Sequence, residues 1–598
     1  MALHASPTAG KHGTWLPVGP AAAEAFRGQQ TALSTLHAFS IAGKHSAGRV
    51  AQVARQPVSL LGHNTACKQA VPPAAVFGYD DCAMATGATT RLICPLTAGT
   101  VEQMRRDMLD AGAAGADCVE LRLDYLMTPP TARQLQELLA GLPPWVILTC
   151  RPVRQGGRFS GTEAARLELL RQAAALARSS GGPGGGTAVL VDIEMDVPRT
   201  DWPEADVILS HHDFQAVPSY LDRVVEQLES SPAAVNKVAF AAHGPQDALR
   251  ALDVLRACRK PTIALAMGEA GVASRILARK FGALGTFAAL RHGGQSAPGQ
   301  PTIEEFHRLY RWDAIDEQTA VCGVIGCPVG HSMSPAIHNA AFAAAGVNAV
   351  YVPLLVQPGM EHFQAFLDAL LARPWLGWRG LSVTIPHKEN ALAYVGPGNC
   401  DELARQIGAV NTITIEPDGR LRGDNTDYAA ALDALCEAMA IAREGLSGRS
   451  VAVLGAGGAA RAIVAGLRHY GADVTIYNRT VSRGAALAEE FHCMAEGLDH
   501  LDGLGSEIVI NCTPLGMHPN VNAGPLDRIP PSAKVVFDTI YNPVQTRLLE
   551  QAARAGATAV SGLDMFVRQA ASQFETWTGR PAPRAVMRQV VMQRLAAR

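Results

Sequence analysis

Between Arg91 and Leu290 the chain repeats one pattern eight times: a short apolar, β-rich run, then a stretch with helical spacing. The runs are Arg91–Leu96, Cys118–Leu126, Trp145–Arg151, Ala188–Met195, Val207–Phe214, Val235–Ala242, Thr262–Gly268 and Leu284–Leu290. Intervening stretches such as Val101–Ala111 and Glu163–Ala177 fit amphipathic helices. Eight β-α units in roughly 200–250 residues predict a (β/α)8, TIM-type barrel. The Gly-rich patch Ser179–Thr187 precedes the fourth run, on the face opposite the strand C-termini, and reads as an insertion without chemistry.

In such a barrel the strand C-termini build the site, and polar residues collect there. The second run carries Glu120 and Arg122, the third ends in Arg151, and the fifth carries His211, His212 and Asp213. Lys237 interrupts the apolar sixth run. One strand His or one snorkelling Lys means little alone; their convergence on one rim means more. A Lys held among apolar neighbours favours its neutral form and suits Schiff-base formation with a ketone. A nearby His can then move the proton that the imine acidifies.

Past a polar link, Arg311–Thr319, a new pattern begins at Val321. Ser332 and Ser334 lie two residues apart at a strand-to-helix turn; Ser334 before Pro335 is also a good helix N-cap. Thr384 and Lys388 follow the strand Leu381-Ser-Val, and Asn411, Thr426 and Asp427 lie in Ala-Val-Asn-Thr and Asn-Thr-Asp. Then a strand from Val451 runs into Gly455-Ala456-Gly457-Gly458-Ala459 and a helix. Such a turn brings pyrophosphate to a helix N-terminus. About twenty residues on, Asn478-Arg479-Thr480, with Arg483 beyond, stands where an NAD site would place Asp or Glu. Two arginines there fit the 2′-phosphate of NADP, or are an ordinary solvated pair.

The stretches E-L-R-L-D, T-C-R-P, S-H-H-D-F, N-K-V-A, S-R-I-L and S-A-P-G-Q-P, in this order, resemble type I 3-dehydroquinate dehydratase from about Arg91 to Tyr310. That resemblance implies that Lys237 forms the imine and His212 is base, then acid. It also places Glu120, Arg122, Arg151, Arg275, Ser296 and Gln300 in the pocket, with no metal. The family pattern R-P-x-x-E-G-G reads Arg151-Pro-Val-Arg-Gln155-Gly-Gly here. Gln155 thus lacks the carboxylate that would steady a protonated His212, so a slower dehydration is expected unless Glu163 or Glu194 fills the gap.

H-S-x-S-P, T-I-P-H-K, A-V-N-T, N-T-D, G-A-G-G-A, N-C-T-P-L-G-M and G-L-D-M-F-V-R-Q resemble shikimate dehydrogenase from about Ala320 to Arg598. The resemblance implies a Lys388–Asp427 catalytic pair, with Lys388 the proton donor. Ser332, Ser334, Thr384, Asn411, Thr426, Tyr541, Gln569 and Gln573 would hold the substrate. The glycine turn, Asn478, Arg479, Thr480, Arg483, Thr513 and Gly562 would hold NADP(H). Bacterial members usually carry Asn where Ser382 stands, a departure that matches plant-type fused enzymes.

The expected architecture is therefore a leader (1–88), a barrel (89–315), an α/β substrate lobe (319–428) and a Rossmann NADP-binding lobe (429–598) with C-terminal helices returning to the substrate lobe. The leader carries one acidic residue, Glu24, and six Lys/Arg up to Tyr79; it resembles a plastid transit peptide, or is a plain extension. With 52 Lys and Arg against 54 Asp and Glu, a strongly basic nucleic-acid binder is excluded. No apolar run approaches the ~18 residues of a membrane span. Twelve cysteines form no C-x-x-C pair, which speaks against a zinc site. Small-molecule partners and a monomer are expected. A quinate-type dehydrogenase with a weak dehydratase half, and a non-catalytic metabolite-sensing repressor, are the alternatives. Ser334 with Thr384 favours shikimate; Lys237, His212, Lys388 and Asp427 together speak against a sensor.

Overall fold

The computed structural model describes residues 89–179 and 187–596. The leader and most of the Gly-rich patch lie outside the described residues.

Eight parallel strands form the first unit: β1 (Arg91–Leu96), β2 (Cys118–Arg122), β3 (Trp145–Thr149), β4 (Ala188–Glu194), β5 (Asp206–Asp213), β6 (Val235–Ala241), β7 (Thr262–Met267) and β8 (Gly285–Phe287). The ladder runs from β7 down to β1 and on to β8. Across the remaining seam the Leu284 N–H donates to the Thr262 carbonyl at 2.9 Å. A (β/α)8 barrel is thus the observed architecture. The first helix, Val101–Ala114, shows how the sequence writes it. Thr100 caps it by accepting from the Gln103 N–H, Met104, Met108 and Ala111 form its buried stripe, and Gly115 at φ 100° ends it as only glycine does readily.

The runs after the first end a residue or two early, β3 at Thr149 and not Arg151, and two of them fall well short. After β2, Leu123–Tyr125 turns into a single 3-10 turn, which lets Asp124 fold back onto Arg122 at 2.9 and 2.8 Å. The eighth run keeps only Gly285–Phe287 in the sheet.

The second half contains two sheets. The first has order β10–β9–β11–β12–β13, from β9 (Ala320–Gly326), β10 (Ala349–Leu355), β11 (Trp378–Val383), β12 (Thr412–Ile415) and β13 (Leu421–Asp424). Its first three strands are parallel, and β12 and β13 run antiparallel. The second sheet is wholly parallel, with order β16–β15–β14–β17–β18–β19. Those strands are β14 (Ser450–Leu454), β15 (Asp473–Asn478), β16 (Met494–Gly497), β17 (Ile508–Asn511), β18 (Val535–Asp538) and β19 (Thr558–Ser561). This is the doubly wound, dinucleotide-binding order. The final helices, Gly562–Thr578 and Arg584–Ala596, bring Phe574, Met587 and Val591 back against Phe342 and Tyr351 of the first sheet's lobe.

The barrel has an interior cluster of its own, with Ile93, Ile147, Ile208 and Ile263, and the first sheet has one against the C-terminal helices, but a third and larger cluster spans both halves. One apolar layer joins barrel residues such as Leu249, Leu252 and Ile276 to Val350, Val352, Phe363, Phe366 and Leu367. At its edge Arg373 forks onto Asp253 at 2.8 and 2.7 Å. Trp375 packs edge-on to Phe281 at 5.2 Å and beneath the Arg256 guanidinium at 4.3 Å. The segment Arg311–Thr319 is likewise docked rather than a free tether. Trp312 is 1% exposed, and Arg311 donates to the carbonyls of Val347 and Ala349.

Leu367 lies fully buried in that shared layer. Leu367→Ala is expected to cost about 2–5 kcal/mol and to lower the thermal midpoint of both halves together. Thermal unfolding followed by tryptophan fluorescence, with both activities assayed after heating, checks this. Two separate transitions would contradict a shared core.

Candidate active sites

In the barrel, strand register sets which side chains meet. Arg122 is level with Thr149, Thr149 with Asp192, Glu194 with Ser210, and Ser210 with Lys237. Because alternate strand residues share a face, Asp192 and Glu194 of β4 point the same way, as do Ser210 and His212 of β5. The Lys237 ammonium sits 2.7 Å from Asp192 Oδ2 and 3.8 Å from Glu120 Oε1, with the Phe287 ring centre 4.6 Å away. The neighbourhood expected from the sequence was apolar. Two carboxylates are present instead, because a buried ammonium needs a counter-ion.

Arg151 bridges Asp192 at 2.8 Å and Glu194 at 2.7 Å, and donates to Ser210 Oγ at 3.0 Å. Burial works to raise the Asp192 carboxyl, but Arg151 and Lys237 outweigh it and hold it far below the usual range. His212 stacks on Phe214, ring centres 6.0 Å apart. Burial, then Arg151 and Lys237, push its imidazole well below the ordinary value, so it stands neutral, as a base requires. His211, one residue earlier, packs edge-on to Tyr220 instead.

Of the three pocket arginines expected from the sequence, Arg122 is taken up by Asp124 and Arg151 by the β4 acids. Arg275, 1% exposed on the helix Val272–Ile276, keeps Nε and one terminal nitrogen without partners among the described residues. Burial lowers its guanidinium to about 10, still charged at neutral pH. A buried cation with open donors is a receptor for a carboxylate. Glu120 accepts from Thr149 Oγ1 at 2.8 Å. Ser296 and Gln300 brace each other across their loop: Gln300 Oε1 accepts from the Ser296 N–H at 3.0 Å.

The second site lies at the C-terminal ends of β9 and β11 and the start of the helix Thr426–Met439. Lys388 Nζ meets Asp427 Oδ2 at 2.5 Å. Lys388 opens the helix Lys388–Val395, where the helix dipole disfavours a cation. Asp427, in the first turn of the neighbouring helix, offsets that field and fixes the amine. The Asn411 side chain donates to Thr426 Oγ1 at 3.1 Å and accepts from the Thr426 N–H at 2.8 Å. Gln573 Nε2 donates to Thr412 Oγ1 at 2.9 Å, while its Oε1 accepts from Ser382 Oγ at 2.8 Å. Ser382 in turn accepts from the Tyr351 hydroxyl at 2.6 Å. Beneath them the buried His338 ring stacks on Tyr351 at 4.5 Å, and burial pushes it down to about 3.

Ser334 begins the helix Ser334–Ala344 without capping it; the Ser334 N–H donates to Ser332 Oγ at 3.2 Å. Thr384 follows β11 directly, its methyl facing Gly326. Tyr541 stacks on Phe566, and Gln569 donates to the Phe566 carbonyl at 3.1 Å.

The nucleotide side meets the demands of NADP(H). Gly455 turns at φ 107°, with its N–H bonded to the Tyr477 carbonyl at 2.7 Å. The helix Gly458–His469 starts at Gly457 with no side-chain cap, and a Cβ at Gly457 or Gly458 would meet nothing within 4 Å. That leaves open N–H groups and room for a pyrophosphate. Ala456 and Ala459 complete the turn. At the end of β15, Asn478 holds the turn by donating to the Thr480 carbonyl at 2.8 Å. Arg479 and Arg483 are exposed and have no ion pair among the described residues, as a 2′-phosphate site needs. Thr513 and Tyr541 line a cavity of about 360 Å³ beside this turn, and Gly562 opens the helix Gly562–Thr578.

Sequence reasoning missed Asp192, Arg166, Thr412, Tyr351 and His338. For β4 a signal existed: Val-Asp-Ile-Glu places two acids on one strand face inside an apolar run.

Comparison with known proteins finds matches in both halves. The model for type I 3-dehydroquinase matches residues 92–317, and that for the shikimate dehydrogenase substrate binding domain matches 324–413. Models for shikimate / quinate 5-dehydrogenase and the shikimate 5′-dehydrogenase C-terminal domain match 437–539 and 562–592. The shikimate dehydrogenase (NADP(+)) of Methanosarcina acetivorans is 42% identical over 290 residues, 46% of this chain and 99% of that protein. A solved shikimate 5-dehydrogenase from Thermus thermophilus, in complex with NADP(H) and shikimate, is 34% identical with a TM-score of 0.40, covering 46% of this chain and 99% of that one. The bifunctional 3-dehydroquinate dehydratase/shikimate dehydrogenase, chloroplastic, of Arabidopsis thaliana is 38% identical over 529 residues, 84% of each chain. With both halves matched in one order by a relative of that coverage, the chain belongs to the bifunctional 3-dehydroquinate dehydratase/shikimate dehydrogenase family.

Proposed function

We propose that the side chains gathered at the two rims carry the family's two consecutive reactions: dehydration of 3-dehydroquinate to 3-dehydroshikimate, then its NADPH-dependent reduction to shikimate. The observation that carries the reading is the presence of both reactive lysines in working surroundings: Lys237 beside two carboxylates and a neutral His212, and Lys388 on Asp427.

In the barrel, Arg275 receives the substrate carboxylate, and Lys237 condenses with the ketone, releasing water. The iminium draws electrons from the C2–H bond, and His212 takes that proton. The resulting enamine expels the C1 hydroxyl, to which His212 returns the proton so that a second water leaves. Hydrolysis of the imine frees the product and Lys237. Glu120 and the Ser296–Gln300 loop hold ring hydroxyls.

In the second half, NADPH supplies the reducing equivalent to the substrate carbonyl carbon. Lys388 delivers a proton to the carbonyl oxygen, and Asp427 holds the ammonium in line. Ser332, Ser334, Thr384, Asn411, Thr426, Tyr541, Gln569 and Gln573 grip hydroxyls and carboxylate. The glycine turn holds the pyrophosphate, while Arg479 and Arg483 select the 2′-phosphate. Retention of both Ser334 and Thr384 supports shikimate over quinate. The acid-poor leader, together with the name of the Arabidopsis relative, supports plastid import.

Three outcomes follow. Borohydride added with 3-dehydroquinate traps a covalent adduct on the Lys237 peptide, read by mass spectrometry, and Lys237→Ala abolishes both adduct and dehydration. Arg479→Ala raises the KM for NADPH by about 1.5–3 kcal/mol, a charged hydrogen bond, and leaves that for NADH nearly unchanged. Equal losses for both cofactors would make Arg479 structural. Lys388→Ala depresses reductase turnover by roughly 10²–10⁴-fold, the usual size for a positioned acid, with little effect on the KM for NADPH.

A further inference from the structure

Asp192 joins Lys237 and Arg151 through one oxygen, Oδ2, 2.7 Å from the amine and 2.8 Å from the guanidinium. Its other oxygen, Oδ1, is buried without a hydrogen-bond partner among the described residues, and so is Nδ1 of His212. Asp192 is 0% exposed, so neither water nor salt screens its charge.

From this point a ladder of alternating charges runs outward. Arg151 pairs with Glu194 at 2.7 Å, Glu194 with Arg166 at 2.9 Å, Arg166 with Glu163 at 2.5 Å, and Glu163 with Arg154 at 3.2 Å. Counting Glu120 beside Lys237, the cations Lys237, Arg151, Arg166 and Arg154 face Glu120, Asp192, Glu194 and Glu163, with Asp196 also 3.2 Å from Arg154 at the exposed end. A proton on His212 adds a further positive charge in the field of Arg151 and Lys237. The groups that act on it are Arg151 and Lys237, with His211 of its own strand, all opposing the cation, and Asp192, which favours it.

Gln155 contributes no charge. It is half-buried, and its side chain forms no hydrogen bond among the described residues. Its turn lies against Phe214, which stacks on the imidazole: a Cβ at Gly156 would lie 2.6 Å from Phe214 Cζ. Glu163 and Glu194, the acids that could have replaced it, are committed to arginines.

We propose that Asp192 is a further catalytic residue of the dehydratase site, holding the Lys237 amine and serving as the counter-ion of protonated His212 that Gln155 does not provide. The inference rests on the dehydratase reading of this site. When the C2–H bond breaks, its electron pair passes toward the iminium nitrogen and the proton goes to His212. Until that proton leaves with the C1 hydroxyl, His212 is a cation beside Arg151. Asp192, relieved of the ammonium once Lys237 is in the enamine, is the anion able to balance it.

The test uses the full chain as wild type, Asp192→Asn, Gln155→Glu and the double variant. Dehydration is followed across pH, borohydride trapping reports the imine, and reduction of 3-dehydroshikimate reports folding. A base must be neutral to act, so losing the counter-ion moves the acidic limb of the dehydration profile to lower pH, and adding one moves it upward. Asp192→Asn is expected to slow dehydration about 100-fold, shift the limb down and still allow trapping at Lys237. Gln155→Glu is expected to speed the wild type with an upward shift, and to recover about tenfold in the Asp192→Asn background. A double variant no faster than Asp192→Asn, or an Asp192→Asn enzyme as fast as wild type, would overturn the counter-ion role. Should Asp192→Asn lose the reductase as well, the Gln155→Glu profile decides: a limb that does not move overturns the proposal. A wild type that neither dehydrates nor forms an adduct would instead remove the dehydratase reading itself.

Discussion

Both catalytic rims depend on one apolar layer, that between the barrel's outer helices and the sheet β9–β11. It is built from residues such as Leu252, Ile276, Val350, Val352 and Phe366. The short helix Val272–Ile276 shows the consequence. It carries the buried Arg275, while Ile276 beside it belongs to the shared layer. On the other side of that layer, β10 carries Tyr351, whose hydroxyl anchors Ser382 and through it Gln573. Burial of apolar area is non-directional, but packing at crystal-like density is not forgiving. The layer thus packs against the helix that bears Arg275 on one side and the strand that bears Tyr351 on the other.

The two sites solve opposite electrostatic problems. In the barrel, charges are buried and must be matched one for one, so Lys237, Arg151 and Arg166 are threaded through Glu120, Asp192 and Glu194. In the dehydrogenase half the Lys388–Asp427 pair is partly exposed, its side chains retaining 33% and 18% of their accessibility. There a local pair suffices, and neutral hydrogen bonds among Asn411, Thr426, Thr412, Gln573 and Ser382 do the rest of the positioning. Buried ion pairs are weak evidence of stability; their presence around Lys237 is better explained by the chemistry they surround.

Much of this was legible in the sequence. Each barrel run announced its strand, because a strand buried on both faces is nearly continuous in apolar residues. The overextended second run shows the limit: Leu123 and Tyr125 look β-rich, yet Asp124 gains two charged hydrogen bonds by turning back to Arg122. Lys237 and His212 stood out because a charge or imidazole inside a strand is conspicuous, and Lys388 through the stretch T-I-P-H-K that follows a strand. Asp192 did not, and Glu194 entered only as a stand-in for Gln155, since their partners lie on other strands and only register brings them together. The Ser334 cap did not form for a local reason: the helix starts one residue early, so Met333 stands at the N-cap and Ser334 is already helical. The shared core was hidden, because a helix face records that it is apolar without recording which domain covers it.

The central claim is that one polypeptide performs both steps in sequence. The most direct measurement supplies purified full-length protein with 3-dehydroquinate and NADPH alone, and follows NADPH absorbance alongside product analysis. The account predicts one NADPH oxidised per shikimate formed, after a lag in which 3-dehydroshikimate builds up. Accumulation of 3-dehydroshikimate without NADPH oxidation, or NADPH oxidation yielding quinate, would contradict it.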